Sequence, residues 1–82
     1  MSQLEKQLEK LFSLPREMRY EEIKALLERF GFIGIETGSG SSHITYRKDG
    51  YLNITIPRHG NIKRVYLKLV KDVLMEVIKD EQ

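Results

Sequence analysis

Residues 43–56 read HITYRKDGYLNITI, two arms of alternating apolar and polar residues around a Lys48-Asp49-Gly50 break. A period of two is the pattern of a half-buried strand, and the glycine in the break marks a turn, so the stretch predicts a β-hairpin. Two registers compete. A two-residue Asp-Gly turn pairs Arg47 with Leu52 and mixes polar with apolar side chains on each face. A three-residue loop with Gly50 in the left-handed region pairs Arg47 with Tyr51 instead. It sets Ile44 and Tyr46 against Ile54 and Leu52 on one face, and His43, Thr45 and Arg47 against Thr55, Asn53 and Tyr51 on the other. A slip of one residue reverses every side chain, so the register with clean faces is the expected one. The hairpin then has an apolar face for a core and an open polar face that carries His43.

Upstream, residues 3–12 (QLEKQLEKLF) put Leu4, Leu8, Leu11 and Phe12 on one helical stripe, which Leu14-Pro15 terminates. A second amphipathic helix runs from Tyr20 to Phe30, with Ile23, Leu26, Leu27 and Phe30 apolar. Glu21 and Glu22 favour its first turn and Gly31 supplies its stop. Phe32–Thr37 reads as a short strand and Gly38–Ser42 as a loop leading into the hairpin. Downstream, Pro57-Arg58-His59-Gly60 closes the last strand and Asn61 is the expected N-cap of a long final helix. Its expected apolar positions are Ile62, Val65, Tyr66, Leu69, Val70, Val73, Leu74, Val77 and Ile78. Two helices, three antiparallel strands and a helix, with the helices on one face of the sheet, make the class α+β.

Eighty-two residues hold one small core, and an additional N-terminal helix is worth most to a core of that size. There is no cysteine, which excludes a disulfide framework and thiolate chemistry. The first residues lack the apolar stretch of a signal peptide and no apolar run approaches a membrane span, so a cytoplasmic chain with no membrane contact is expected. Two histidines sixteen residues apart do not make a zinc site. The net charge is +2, but residues 1–41 carry −1 and residues 42–82 carry +3. Between Arg47 and Lys71 seven basic residues face Asp49 alone, a distribution that suits a polyanion.

Several of these pieces together resemble the HicA family of toxins. They are Gly31-Phe32, Ser41-Ser42-His43-Ile44 with Tyr46, Asp49-Gly50, and Thr55-Ile56-Pro57-Arg58-His59-Gly60. The resemblance covers roughly residues 19–78, so residues 1–18 read as a helical extension of a domain spanning 19–82. It implies a double-stranded-RNA-binding-like fold and an endoribonuclease that cleaves messenger RNA. It also implies a HicB-type antitoxin as partner, and His43 as the catalytic residue of a Gly-Ser-His signature. Here the loop reads GSGSSH, longer than that compact signature.

The residues suit such chemistry. RNA supplies its own nucleophile, the 2′-hydroxyl, so cleavage needs a base, an acid and positive charge but no cofactor. An imidazole, with an ordinary pKa of about 6.5, serves either proton role near neutral pH. Backbone N–H groups around Gly40, Ser41 and Ser42 suit a phosphate, and Arg47 shares the face of His43. Arg58, His59, Lys63, Arg64 and Lys68 gather at the start of the final helix, a second place for RNA phosphates. Tyr20, Tyr46 and Tyr66 read as core or rim aromatics, whereas Tyr51, on the open face, is placed to stack on a base. Two other readings stand beside this one: a non-catalytic RNA-binding module, and a protein-interaction module using the Leu4/Leu8/Leu11 helix. A homodimer and a hetero-oligomer with the antitoxin both remain open.

Overall fold

The structure is a computed structural model that describes residues 2–36 and 42–81. Helix α1 spans Gln3–Phe12 and begins where the Ser2 hydroxyl accepts from the Glu5 N–H at 3.2 Å. It stops as Leu14, forced out of the α region before Pro15, turns to a φ of 51° and donates its N–H to the Leu11 carbonyl at 2.9 Å. The short strand β1, Glu17–Arg19, leads directly into α2, Tyr20–Arg29. There the Glu22 carboxylate accepts from the Arg19 N–H at 3.1 Å and satisfies one of the helix's open donors. At the far end Gly31 takes a φ of 90° and the Phe32 N–H returns to the Leu27 carbonyl at 2.9 Å.

The main sheet contains β2 (Ile33–Glu36), β3 (His43–Arg47) and β4 (Ile54–Pro57), antiparallel and in that order. Ile44 and Tyr46 of β3 lie opposite Ile56 and Ile54, and these four face the helices. His43, Thr45 and Arg47 alternate to the other face, with Thr55 and Pro57 beside them. The faces within β3 and β4 are those expected, but the register is displaced by two residues: Thr45 pairs with Thr55, not Asn53. Leu52, expected on the apolar face opposite Tyr46, lies outside β4 and is 71% exposed. A shift of two preserves the alternation, so hydrophobicity cannot distinguish the two registers.

Tyr51 accounts for the difference. Its ring packs against the core and its hydroxyl donates to Asp80 Oδ2 at 2.7 Å, which removes it from the open face and lengthens the loop to residues 48–53. Within that loop Gly50 takes a φ of 90° and the Tyr51 N–H reaches the Lys48 carbonyl at 3.1 Å. Tyr51 thus faces the core and Asp80 rather than the open face, where it could have stacked on a base.

The last two elements are β5, Asn61–Lys63, and α3, Arg64–Asp80. Asn61 was expected to cap the final helix. It lies instead in a two-stranded ribbon of β1 and β5, where its side-chain amide donates to Glu17 Oε2 at 2.7 Å. Ile62 is a strand residue opposite Met18, and both are buried. The later helix start also shifts the buried stripe, so Leu67 is fully covered while Val65 stays 73% exposed. The three helices among the described residues contribute to one core, α1 through Leu11, α2 through Ile23, Leu26 and Leu27, and α3 through Leu67, Val70, Val73, Leu74 and Val77.

Tyr46, the largest fully buried side chain among the described residues, is 1% exposed and shares a 2.8 Å hydrogen bond with the Tyr20 hydroxyl at the start of α2. Its ring lies across Gly34 of β2, where an added Cβ would stand 3.0 Å from Cε1 and 2.8 Å from Cδ1 of Ile44. Gly34→Ala is therefore expected to destabilise the protein by about 1–3 kcal/mol, read as a lowered thermal midpoint. Burial, reinforced by the Tyr20 hydrogen bond, pushes the Tyr46 phenol well above the ordinary tyrosine range. Above pH 10, the ordinary value, the unfolded chain loses this proton while the folded chain keeps it, so stability falls as pH rises. Thermal melts from pH 9 to about 11 should show a shallower alkaline decline for Tyr46→Phe than for the parent.

Candidate active site on the open face of the sheet

His43 opens β3 and is half-buried, opposite Pro57 of β4. Its Nδ1 lies 3.2 Å from the Ser42 hydroxyl, and the Ser42 carbonyl accepts from the Arg58 N–H at 2.9 Å. Arg58 Nη1 in turn reaches Glu36 Oε1 at 2.6 Å. One end of the sheet is thus tied across all three strands: Glu36 on β2, Ser42 and His43 at β3, and Arg58 just beyond β4. This bracing holds the backbone beneath the imidazole. Both members of the Arg58–Glu36 pair are substantially exposed, at 39% and 62%, so its direct contribution to stability is small.

Along the same face from His43 come the Thr45 and Thr55 hydroxyls, 2.8 Å apart, and then Arg47, exposed at the other end of β3. Ile33 and Ile35 of β2 pair with Arg47 and Thr45 and share their face, 68% and 39% exposed. A groove of about 490 Å³ runs there, lined by Gly31, Ile33, Ile35, Arg47, Lys48 and Asp49. The arrangement can place a proton-transferring imidazole, hydroxyl donors and a guanidinium along one extended ligand.

The remaining expected site residues divide. Gly40 and Ser41 lie outside the described residues. His59 is exposed in the corner after Arg58, two residues past the one that faces His43. Lys63 ends β5 and sits at the N-cap of α3, whose first turn holds no acidic side chain; Lys68 is exposed one turn on. Arg64 has a structural task, since its N–H donates to the Arg16 carbonyl at 3.0 Å and its Nε to the Pro15 carbonyl at 3.3 Å. Lys71 has another. Its ammonium donates to the Phe12 carbonyl at 3.1 Å, in the last turn of α1, and lies 6.0 Å from the Phe12 ring centre. Glu36, which neutralises Arg58, escaped sequence reasoning because a lone acid at a strand end carries no signal of its partner.

An α+β domain of the double-stranded-RNA-binding type, with helices behind the sheet and a polar, histidine-bearing face in front, is the class that this architecture defines. Residues 20–78 match the family model of the HicA toxin of bacterial toxin–antitoxin systems, and the chain belongs to that family. It is thus a toxin-family protein for which an antitoxin partner is implied. No curated protein and no solved structure matches it. No helix among the described residues is long and apolar enough to cross a membrane.

Because Lys71 secures the end of α1, Lys71→Ala is expected to cost about 1–2 kcal/mol by thermal denaturation. The salt dependence of any polyanion binding should remain as in the parent, a pairing of results that an RNA-contacting lysine would not give.

Proposed function

We propose that this chain is an endoribonuclease toxin that cleaves messenger RNA in the cytoplasm, with His43 as its acid–base residue. The observation that carries the reading is the position of His43 at the rim of the open sheet face, beside Ser42 and in line with Thr45 and Arg47, in a chain of the HicA family. In the reaction the RNA 2′-oxygen attacks the adjacent phosphorus and the bond from phosphorus to the 5′-oxygen breaks, leaving a 2′,3′-cyclic phosphate. His43 takes the proton from the 2′-hydroxyl or delivers one to the departing 5′-oxygen, and water exchanges the other proton. Arg47 meets phosphate charge along the sheet, while Lys63, Lys68 and the free donors of Arg64 hold flanking phosphates at α3. Arg58 joins them to the extent that an RNA phosphate displaces Glu36. The nucleophile belongs to the substrate, so this route uses neither a metal nor a cofactor.

A HicB-type antitoxin would silence the protein by covering the open face. Residues 1–18 serve as an extension that completes the core of the 19–82 domain, a role supported by buried Leu11 and by the Lys71 contact with Phe12.

Induced expression of the parent should arrest growth, and His43→Ala, folded by circular dichroism, should relieve the arrest. In vitro the same substitution should slow cleavage by roughly 10²–10⁴-fold. A 2′-deoxy nucleotide at the cut site should block cleavage altogether. Equal arrest by both proteins would remove His43 from the chemistry. RNA binding with steep salt dependence and no cleavage would favour a non-catalytic binding module.

A further inference from the structure

Among the described residues no strand pairs with the outer edge of β2, since the sheet order is β2-β3-β4, and all four of its residues are exposed. Natural sheet edges are usually blunted by lysine, proline, a bulge or a covering element. The sequence of β2, Ile33-Gly34-Ile35-Glu36, has neither lysine nor proline, and its one charge is already engaged by Arg58. At the opposite edge β4 ends in Pro57, which has no N–H to offer.

We propose that the β2 edge pairs with the β2 edge of a second copy of this chain, antiparallel about a two-fold axis at Gly34, to make a continuous six-stranded sheet. The strand is complementary to itself in this register. On the open face Ile33 of each copy lies opposite Ile35 of the other, so four exposed isoleucines cover one another. On the helix side the two Gly34 residues meet without side chains, and each Glu36 lies opposite the partner's Phe32. Next to Phe32 is Gly31, and the Lys48 ammonium sits over it, 2.7 Å from where a Cβ would stand. The pairing therefore brings Glu36 of each copy toward Lys48 of the other, opposite charges at both ends of the seam. Arg58 (held to Glu36), Arg47 (beside Ile33) and Asp49 complete the charged groups at this edge.

The seam is short. Four residues a side bury well under the roughly 1,200 Å² of a standard interface, so the dimer belongs to the small, weak and concentration-dependent class. The two-fold axis stands perpendicular to the sheet, so both open faces point the same way. From the strand spacing and rise, the two His43 residues come to lie roughly 25 Å apart on one surface. The dimer does not depend on His43 being catalytic; if it is, one RNA strand meets two sites.

Sedimentation equilibrium on the whole chain should show monomer at low micromolar and an increasing dimer fraction toward millimolar concentration, weaker at high salt. Ile35→Lys should raise the dissociation constant at least about tenfold by placing like charges within the seam. Register is tested separately, because the chain has no native cysteine. Under mild oxidation, folded Ile33→Cys and Ile35→Cys proteins should form the mixed disulfide when combined, in preference to either homodimer. A purely monomeric mass up to about 1 mM would overturn the proposal. So would a dimer indifferent to Ile35→Lys, which would point to another surface such as the α1 helix, or disulfides formed equally in every combination. If Ile35→Lys fails to fold, the disulfide experiment decides alone.

Discussion

The Tyr46 ring, laid across a glycine, is the contact on which the sheet depends. An aromatic side chain of this size at the middle of β3 needs space on the neighbouring strand, and Gly34 leaves it. Its hydroxyl would be costly to bury alone, and Tyr20 supplies the partner from the start of α2. One side chain thus joins β2, β3 and α2. Because strand side chains alternate, seating Tyr46 inward sends Thr45 and Arg47 outward, and His43 with them. The open face that carries the candidate chemistry is the obverse of the core.

The charged residues separate into those that build the protein and those left for a ligand. Lys71 closes α1, Arg64 holds the start of α3 to Pro15 and Arg16, and Arg58 braces the sheet end through Glu36 and Ser42. What composition presents as one basic tract is therefore a smaller exposed set with no structural task of its own, Arg47, Lys63 and Lys68, with His59 in the connecting corner and the exposed end of Arg64 beside them. The extension has a similar double character. The family match starts at residue 20, yet Leu11 is buried in the common core and β1 pairs with β5, immediately before α3. The segment ahead of the matched region thereby positions the helix whose N-terminal end carries Lys63, Arg64 and, one turn on, Lys68.

Much of this was legible in the chain because it rests on local periodicity. The helices over 3–12 and 20–29, the β-hairpin, the α+β class and the face on which His43 lies all follow from spacing that hydrophobic burial enforces. The family resemblance was legible as well, through short motifs around Ser42-His43 and Pro57-Arg58-His59-Gly60. The exact hairpin register was not, because two pairings two residues apart bury the same face. The choice between them lay with Tyr51, whose partner Asp80 is 29 positions away.

What the sequence determined alone is thus the alternation of side chains within β3 and β4 and the apolar stripes of α1 and α2, a property each residue shares only with its immediate neighbours. Tyr51, turned inward, and Leu52 and Val65, left exposed, departed from it. Tertiary structure decided everything that needs a distant partner. Asn61 and Ile62 became a strand because Glu17 and Met18 were there to pair with them, 44 residues earlier. Arg58 became a brace because Glu36 lay beside it across the sheet. Such contacts arise from where the chain returns to itself, and no local spacing encodes that return.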